Sequence, residues 1–471
     1  MPRAPQRHHR RWLRPAAVAA VALTAWTAAP SAAAPLPPDG TRPAHCSRID
    51  AAKVPGAARQ QASCLDELTT AGTVTSGHTD PADWAGLTPE GLATPRGVPG
   101  IQIDGYFPDP STTNTNHDSQ FVIRLPDRWN GGLVVSGAPG VREQYANDRA
   151  FGDWAVSQGY AFAATDKGAT GAAFHRDGRT PGDALAEGNH RVTQLTRAAR
   201  QVVGRRYQRP PSRTLAMGMS NGGYLVRWQL ENHPELYDGG VDWEGTLWRT
   251  EGPNLLTFLP PALRHYPSYA AGGAGAEQAH RAMKAAGYPA GSEFLWPFHH
   301  QYYWDLTQRI YREELDPEFD GATEAGTPFC APGTPACDAD YAYADRPREV
   351  RKAVAKIALT GRIGKPLISF HGTYDVLLPI SRSSDVYAQL VRREGRGHLH
   401  RYYRVEAGTH VDSLADAFPG RVRPLVPCHR SAATALERWL DHGVRPPSSR
   451  TLKLPEGAGP EKLLTHCPLN G

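Results

Sequence analysis

The chain has 471 residues, of which 40% are hydrophobic and 21% are charged. This length suits one large domain with an insertion, or two domains, and there is enough apolar material for a sizeable core. The net charge is +5, and the five arginines within residues 1–34, a segment without acids, account for all of it. The rest of the chain has no basic excess to attract nucleic acid or anionic lipid, which argues against those two classes of partner.

The N-terminal segment, residues 1–34, has the pattern of a secretory signal peptide. Five arginines precede a short apolar stretch at 16–29, and small residues follow it, which predicts cleavage near Ala33 or Ala34. The stretch is too short to span a bilayer, and an uncleaved anchor is the alternative. The pair Arg10-Arg11 also suits a twin-arginine signal, so the export route stays open. We expect a secreted (extracellular) protein without a membrane span.

All six cysteines lie after the predicted signal peptide. An even number of cysteines in an exported chain predicts three disulfides, although spacing alone leaves the pairing open. Short loops close at the least entropic cost, which favours pairs of neighbours in sequence. The favoured pairs are Cys46–Cys64, Cys330–Cys337 and Cys428–Cys467. No pair has the spacing of a structural zinc site.

The order of the remaining segments predicts an α/β fold. Residues 35–100 are rich in Pro, Gly, Ala and Thr, and we expect an irregular N-terminal arm there. From residue 101, two strands of antiparallel type precede strands that alternate with helices, which predicts a mostly parallel central sheet covered on both faces. The strands are predicted at 101–106, 121–125, 133–135, 160–165, 214–217, up to 241, 366–371 and 401–405, and the helices at 147–158, 183–207 and 432–442.

Residues 243–345 break this alternation and are rich in aromatic side chains. We predict that they form a lid inserted between two core strands, so that 101–242 and 346–471 make up the core. A second, independent domain is the alternative. The aromatic residues would either pack the lid onto the core or line a substrate pocket. The residues predicted to line a pocket are Trp243, Trp296, Tyr302 and Tyr303.

The most informative motif is the run Thr-Leu-Ala-Met-Gly-Met-Ser-Asn-Gly-Gly at 214–223. An apolar strand leads into a turn that carries Ser220 between Gly218 and Gly222, and a helical pattern follows at once. A serine on so sharp a turn has a strained backbone, and small neighbours let the strand and the helix approach each other. This placement predicts a nucleophile, and a glycine-rich turn with a solvated serine is the alternative.

A serine hydroxyl becomes nucleophilic when a base takes its proton, and the base needs an acid that orients it. In a sheet of this kind the chain order is serine, acid, histidine. Asp375 and His410 each follow the end of a predicted strand, where parallel sheets place their sites. They are therefore the predicted acid and base, with Asp412 and Asp242 as rival acids. His371 precedes the acid, breaks the order and is expected to be structural.

The negative charge that develops during acyl transfer needs backbone N–H donors. One donor is expected from Asn221, the residue after the nucleophile, and the other from the loop after the strand at 133–135. Pro139 has no N–H, which leaves Gly137 or Ala138, and Ala138 is the preferred residue. A plain glycine turn is the alternative.

No metal ligands and no organic cofactor are predicted. The segment from Asp316 begins like a calcium loop, but its twelfth position is Thr327, where a bidentate glutamate belongs. A solvated acidic turn is favoured, with a lid calcium as the alternative. His299 and His300 are adjacent, so they point in different directions, and no third ligand stands out.

On these motifs the chain resembles the α/β-hydrolase superfamily over residues 101–445. The matching residues are the turn at 218–223, the acid loop at 371–375 and the histidine turn at 408–410. Within the superfamily it is similar to secreted bacterial tannase/feruloyl-esterase-like hydrolases and to 3-hydroxybutyrate oligomer hydrolases. Tannase-type enzymes join a cysteine beside the nucleophile to one beside the histidine, whereas here those neighbours are Met219 and Val411.

This resemblance implies an α/β-hydrolase fold with a large lid and a secreted serine hydrolase that cleaves carboxylic esters through an acyl-enzyme. The relatives act on esters of phenolic acids or on short hydroxyalkanoate oligomers, so a small-molecule or oligomeric ester is the expected substrate, with polyester oligomers included. An amidase or peptidase on the same scaffold is one alternative, and a noncatalytic binding protein is another. The sequence does not indicate the oligomeric state.

Overall fold

A computed structural model describes residues 49–109, 118–175, 179–319 and 338–470. Within these ranges, ten strands form one sheet with the spatial order β1-β2-β3-β5-β4-β6-β7-β8-β9-β10. The strands are β1 (Arg59–Leu65), β2 (Gly100–Phe107), β3 (Ser119–Pro126), β4 (Gly132–Gly137), β5 (Ala161–Thr165), β6 (Arg213–Met219), β7 (Gly239–Trp243), β8 (Leu367–Gly372), β9 (His400–Val405) and β10 (Arg450–Leu452).

The sheet is antiparallel at one end and parallel over the rest. Strands β1, β2, β3 and β5 pair antiparallel, whereas every neighbouring pair from β5 to β10 is parallel. The C-terminal ends of β4 to β10 therefore lie along one edge, which we call the carboxyl edge. Met219 is opposite Trp243, and Trp243 is opposite Phe370, so the ends of the three central strands lie side by side. The predicted mostly parallel sheet is confirmed.

Helices cover the sheet and fill the long connection between β7 and β8. The helices are α1 (Thr70–Thr73), α2 (Asp153–Ser157), α3 (Asp183–Tyr207), α4 (Asn221–Asn232), α5 (Leu255–Ala271), α6 (Ala276–Ala286), α7 (Trp296–Tyr302), α8 (Trp304–Leu315), α9 (Arg348–Ala355), α10 (Ser384–Arg393), α11 (Leu414–Ala417), α12 (Val426–His442) and α13 (Pro460–Thr465). Short 3₁₀ turns lie at Ile49–Ala52, Pro81–Trp84, Pro234–Leu236, Glu293–Leu295, Tyr343–Asp345, Ile380–Arg382 and Gly397–Leu399, with one π-helical turn at Asp148–Gly152.

Helix α3 shows how the apolar pattern sets these elements. Its buried residues, which include Val192, Leu195 and Val203, recur at helical spacing and face the sheet. The chain enters the helix through Gly182 at φ 86° and leaves it through Gln208 at φ 59°, and such left-handed residues bound helices. The helix predicted at 183–207 is confirmed.

The N-terminal arm contributes a strand that the sequence analysis did not anticipate. Strand β1 pairs with β2 from Arg59 opposite Tyr106 to Leu65 opposite Gly100. Its sequence is polar, and only Leu65 is fully buried, because the strand lies at the outer end of the sheet. Cooperative pairing with β2, and not its own apolar pattern, therefore decides its structure.

The disulfide pattern is described in part. Cys428 and Cys467 are joined, which confirms that predicted pair and ties α12 to the chain after α13. Cys64 is disulfide-bonded, and its predicted partner, Cys46, lies outside the described residues. The predicted pair Cys330–Cys337 lies outside them as well.

The described residues between β7 and β8 form the helical insertion, comprising helices α5 to α9. Trp296 and Trp304 are buried in it, and the ring of Tyr288 packs edge-on against both. The Trp304 indole N–H donates to the carbonyl oxygen of Val376, at 2.7 Å, which fixes the insertion to the loop after β8. Across the described ranges, we find no helix with the length and apolar character needed to cross a bilayer.

Candidate active site

The residues predicted to carry chemistry converge on the carboxyl edge. Ser220 follows β6 directly, Asp375 comes three residues after β8, and His410 comes five residues after β9. Because parallel strands end at the same edge of the sheet, three positions far apart in sequence become neighbours in space. Ser220 is half-buried, whereas Asp375 and His410 are buried.

The turn at Ser220 has the strain that its sequence predicts. Ser220 has φ 56° and ψ −122°, a conformation that residues with a side chain rarely adopt. A Cβ atom on Gly218 would lie 2.4 Å from the carbonyl oxygen of Gly222, and one on Gly222 would lie 2.4 Å from that of Gly137. The two glycines are therefore required for the close approach of strand and helix.

The three predicted side chains form one hydrogen-bonded chain. The Ser220 Oγ lies 3.0 Å from His410 Nε2, and His410 Nδ1 lies 2.8 Å from Asp375 Oδ2. The carboxylate accepts from Nδ1–H, so Nε2 carries the lone pair that accepts the serine hydroxyl. The arrangement can therefore withdraw a proton from the hydroxyl and hold the positive charge that results on the imidazole.

Asp375 is held as an anion by its surroundings. Its Oδ1 accepts from the backbone N–H groups of Leu377 and Leu378, both at 2.8 Å, and its Oδ2 accepts from His371 Nε2 at 3.1 Å. Burial works to raise the pKa of this carboxyl, but the charge of His410 and the hydrogen bonds from the two histidines outweigh burial and hold the pKa below its usual value.

A buried polar chain supports His371 from behind. Arg227 Nη2 donates to the Ser384 hydroxyl at 2.7 Å, and the hydroxyl donates to His371 Nδ1 at 2.7 Å. The Nε2–H of His371 faces two acceptors, Asp375 and the carbonyl oxygen of Leu378 at 2.9 Å. His371 is thus a structural group that orients the acid, as the sequence analysis expected.

The two rival acids have other partners. Asp242 forms a buried ion pair with Arg227, with its Oδ2 2.6 Å from Nε. Asp412 accepts the backbone N–H groups of Leu425 and Val426, each at 2.7 Å, and so begins helix α12. Neither carboxylate is hydrogen-bonded to His410.

One predicted oxyanion donor is available and the other is wrong. Asn221 is the first residue of α4, where the N–H groups have no carbonyl partner within the helix. The N–H of Ala138, in contrast, donates to the carbonyl oxygen of Thr165 at 2.9 Å, because β4 and β5 pair up to their ends. Ala138 is therefore not a free donor in this structure.

Lys167, two residues after β5, shapes the loop that contains Ala138. Its Nζ donates to the carbonyl oxygens of Ala138 at 2.9 Å and Gly140 at 3.3 Å. Burial lowers the pKa of Lys167 to about 8, although the neighbouring Asp166 opposes this shift. Lys167 was not among the predicted site residues, although its position just after a strand end was an available signal.

Two of the four predicted pocket residues are core residues. Trp243 is the last residue of β7 and is fully buried, with its ring between those of Phe151 and Phe370. Trp296 is fully buried inside the insertion, where its indole N–H bonds Ser292. Their predicted role as pocket walls is wrong, because both rings are enclosed in tightly packed regions, where large rings gain most by excluding water.

The other two predicted pocket residues lie at the end of α7 and just beyond it. Tyr302 and Tyr303 are half-buried, and both pack against Phe298. The Tyr303 ring also lies 5.3 Å from that of His299, centroid to centroid. A role of these two residues in substrate binding stays a prediction.

His299 is a further group near the triad that the sequence analysis did not select for catalysis. Burial lowers its pKa to about 4, so the ring is neutral at pH 7, and the charges of Asp375 and His410 act on it. Its Nδ1 lies 3.0 Å from the carbonyl oxygen of Leu295 and must donate there, which leaves Nε2 as an acceptor.

A second carboxyl group, that of Glu244, faces the imidazole of His410. It follows β7 directly, and its Oε2 lies 3.5 Å from His410 Nδ1. Within the described residues, Glu244, Asp375 and His410 are the cluster whose ligand atoms, all within 4.8 Å of one another, could hold a metal ion. The short bond from His410 to Asp375 occupies the ring nitrogen that such an ion would need.

The predicted acidic turn at Asp316 lies next to residues outside the description. Arg346 Nε is 2.5 Å from Asp316 Oδ2, and the hydroxyl of Tyr341 is 2.9 Å from the same oxygen. Thr327, the twelfth position of the calcium-like segment, lies outside the described residues. The described part of the turn is therefore an ion-paired and hydrogen-bonded cluster.

Two protein-family models match the chain, and each match contains a different part of the candidate site. A family model described as 3HB-oligomer hydrolase matches residues 332–460, which contain Asp375 and His410. A model of the prolyl oligopeptidase family matches residues 152–250, which contain Ser220 and Glu244. Each match covers less than half of the chain.

Curated relatives resemble a limited part of the chain. It is 31% identical over 114 residues to the D-(-)-3-hydroxybutyrate oligomer hydrolase of Cupriavidus pinatubonensis, an alignment of 23% of this chain and 16% of that protein. The protein of that name from Burkholderia mallei is 34% identical over 101 residues, covering 20% and 14% respectively. The chain thus aligns with about a sixth of the length of these relatives.

Solved structures resemble most of the chain in fold. Feruloyl esterase B from Aspergillus oryzae superposes with a TM-score of 0.54 at 14% identity, covering 88% of this chain and 93% of that one. An esterase from the same organism gives the same TM-score and identity, covering 88% and 92%. At this identity the likeness shows the fold alone, and the predicted α/β-hydrolase fold is confirmed.

Proposed function

We propose that the protein is a serine hydrolase that cleaves carboxylic esters through an acyl-enzyme intermediate. The observation that carries this proposal is the chain of hydrogen bonds from Ser220 through His410 to Asp375, at 3.0 and 2.8 Å. The strained backbone of Ser220 adds support, because strain of this kind is retained where it serves a function. The two family matches, which between them cover all three residues, are both to hydrolases.

In the proposed mechanism, Ser220 Oγ attacks the ester carbonyl carbon while His410 Nε2 accepts the hydroxyl proton. Asp375 stabilises the imidazolium through Nδ1–H, and the Asn221 N–H donates to the oxyanion. When the tetrahedral intermediate collapses, the C–O bond breaks and His410 returns its proton to the leaving alcohol. Water then attacks the acyl-enzyme with His410 as base, which releases the acid and restores Ser220.

For the substrate, we propose a phenolic ester or a hydroxyalkanoate or polyester oligomer. The relatives named 3-hydroxybutyrate oligomer hydrolase and the structural neighbour named feruloyl esterase support these two chemistries. Both substrate types carry hydroxyl groups. The acceptor Nε2 of His299 and the half-buried phenol of Tyr303 would recognise such groups beside the reacting ester.

A substrate panel tests the proposed function. We would measure kcat/KM for the purified protein with methyl ferulate, methyl gallate, a 3-hydroxybutyrate dimer and p-nitrophenyl butyrate, with the His410→Ala variant as control. We expect turnover of at least one ester and loss of that turnover in the variant. Equal turnover by the variant, or no turnover of any ester, would contradict the proposal.

A peptidase is the second candidate, because the segment that contains Ser220 matches the prolyl oligopeptidase family. The triad alone does not choose between an ester and an amide, since both form the same acyl-enzyme. Matched p-nitrophenyl ester and p-nitroanilide substrates with one acyl group distinguish the two. We expect the ester to be the better substrate by at least about 10³-fold, and a comparable kcat/KM for the anilide would favour the peptidase.

We also propose that the protein is secreted after removal of residues 1–34. The disulfide between Cys428 and Cys467 supports this, because such bonds persist in oxidising compartments. Mass spectrometry of protein collected from the medium should give an N-terminus near Ala33 or Ala34. Recovery of the full-length chain only from inside the cell would contradict the proposal.

The helical insertion is proposed to act as a lid over the site. Its contact with the loop after β8, through the Trp304 indole and the Val376 carbonyl, supports this arrangement. Hydrogen exchange with and without a substrate-like phosphonate on Ser220 is the test. We expect protection to rise within α7 and α8, and unchanged exchange there would contradict a lid role.

A further inference from the structure

Two carboxyl groups, and not one, face the Nδ1 atom of His410. Asp375 Oδ2 is 2.8 Å from Nδ1, and Glu244 Oε2 is 3.5 Å from it. They reach the imidazole from different strands, because Glu244 follows β7 and Asp375 follows β8. The second carboxyl has no place in the mechanism above, and its position so close to the reacting base calls for a role.

Glu244 is held in this position by its backbone and by strand β8. Its φ of 51° is unusual for a residue with a side chain, and its N–H donates to the carbonyl oxygen of Phe370 at 2.9 Å. Its Oε1 accepts the N–H of Gly372 at 2.6 Å. The other oxygen, Oε2, is buried and lacks a hydrogen-bond partner among the described residues. The carboxyl is therefore fixed, with this second oxygen directed toward the imidazole at 3.5 Å.

The hydrogen-bond partners distinguish the two acids. Asp375 accepts from two backbone N–H groups and two imidazoles, whereas Glu244 accepts from the N–H of Gly372 and has a weaker interaction with the Trp243 side chain. Two carboxylates that share one buried site cannot both be charged without a large cost. Burial and the charge of Asp375, with a smaller effect from Asp412, raise the pKa of Glu244 well above its usual value. Asp375 is thus the anion, and Glu244 carries the proton.

We propose that Glu244 is a positioning residue and a reserve acid for His410. In the native protein its neutral carboxyl lies beside Nδ1 of the His410 imidazole and helps to hold the ring in place. When Asp375 loses its charge, the repulsion on Glu244 disappears, and its carboxylate becomes the counter-ion of the imidazolium. The inference rests on the proposed function, since it assumes that His410 is the base.

The test compares Asp375→Asn, Glu244→Gln and the double variant, with kcat/KM for p-nitrophenyl butyrate measured across pH. Glutamine retains an oxygen for the N–H of Gly372 but cannot ionise. We expect Glu244→Gln alone to lower kcat/KM by less than about tenfold. We expect Asp375→Asn to lower it by about 10²-fold, less than the ~10⁴-fold loss seen in a triad with one acid, and the double variant to reach that larger loss.

The pH profile gives a readout that a purely structural role would not change. The pH profile of Asp375→Asn should show an added ionisation at acidic pH. The residual activity of this variant should disappear at pH values below that ionisation, because Glu244 must have lost its proton to act as the counter-ion of the imidazolium. The double variant should lack that ionisation. Equal rates and profiles for Asp375→Asn and the double variant would overturn the proposal. If Glu244→Gln fails to fold, the Asp375→Asn profile decides alone, and the absence of the added ionisation overturns the inference.

Two controls separate this inference from the proposed function. Asp153→Asn changes another buried carboxyl that bonds a backbone N–H, that of Thr70 at 2.7 Å, and should leave the pH profile unchanged. Ser220→Ala should be inactive. Activity in Ser220→Ala would contradict the proposed function itself, whereas an inactive Ser220→Ala with no added ionisation in Asp375→Asn would remove only the role of Glu244.

Discussion

The carboxyl edge of the sheet holds the candidate site, and the helical insertion contacts the loop after β8. The two regions differ in how well the sequence position of a residue indicates its role. At the edge, each of the proposed catalytic groups follows its own strand, so the strand ends place Ser220, Asp375 and His410 together. In the insertion, aromatic rings pack mainly on one another, and Trp296 is buried among them. Polar residues at strand ends therefore predict which side chains meet in space, whereas aromatic enrichment in the insertion predicts packing.

The largest effect should come from the carboxyl edge. Replacing Ser220 or His410 by alanine removes the nucleophile or its base, and we expect kcat/KM to fall by at least about 10⁴-fold. The double variant should be no worse than the worse single variant, because the two groups act as one unit. Ester kinetics on folded protein, checked by circular dichroism, measures this. Losses of less than about tenfold would mean that the strand-end residues do not perform the chemistry.

In the insertion, Trp296→Ala should act on stability. The variant leaves a cavity where the indole packs against Tyr269 and Tyr288, and we expect a loss of about 3–5 kcal/mol in the free energy of unfolding. Tyr302→Ala, at a half-buried position close by in sequence, is the matched control and should lose less. Urea unfolding measures both. A raised KM with unchanged stability in Trp296→Ala would restore this residue as a pocket wall.

The disulfide between Cys428 and Cys467 tests how the end of the chain supports the edge. Its partners are 39 residues apart, and opening a loop of that size costs roughly 3–4 kcal/mol in the chain-entropy account. We expect Cys467→Ser to lower the melting temperature while kcat/KM at 25 °C stays within about twofold. A melting temperature equal to that of the native protein would show that the disulfide at α12 does not stabilise the fold. Residual structure in the unfolded state would then be the explanation to test.

A smaller effect is expected from His429, on α12 behind the edge. Burial lowers its pKa to about 3, and both ring nitrogens are buried without a hydrogen-bond partner among the described residues. The unfolded chain binds a proton below its ordinary pKa of about 6.5, whereas the folded chain does not until about pH 3, so stability falls as pH drops through this window.

Replacing His429 by leucine should therefore flatten the loss of melting temperature between pH 7 and pH 4. His442→Gln, at the exposed end of the same helix, is the matched control and should leave that slope unchanged. Melting curves by circular dichroism at half-unit steps of pH measure the difference. A slope in His429→Leu as steep as in the native protein would show that this ring contributes nothing to acid sensitivity.

The sequence predicts the buried parallel strands well, for physical reasons, although it does not predict the short strand β10 at the end of the sheet. Buried parallel strands are continuous apolar runs, so β4, β6 and β8 stand out, and the long amphipathic helix α3 is unmistakable. Strand β1 was missed because its polar sequence becomes a strand only through its pairing with β2. The local sequence pattern is sufficient to predict a strand that is fully buried. It fails for a strand that forms only because it pairs with a neighbouring strand.

The same division applies to the site. The positions of Ser220, Asp375 and His410 follow from chain order and strand ends. The choice of Ala138 was wrong because the direction of a backbone N–H depends on how far β4 and β5 pair, which no residue type reveals. Glu244 was missed although it follows a strand end, because Asp242 in the same strand was weighed instead.

The central claim is that the hydroxyl of Ser220 is activated by His410 on the carboxyl edge. Labelling with a fluorophosphonate, followed by intact-mass and peptide mass spectrometry, tests this most directly. The account predicts a single adduct, on Ser220, that disappears in Ser220→Ala and forms at least about 10²-fold more slowly in His410→Ala. No adduct in the native protein, or an equal rate in His410→Ala, would contradict the account.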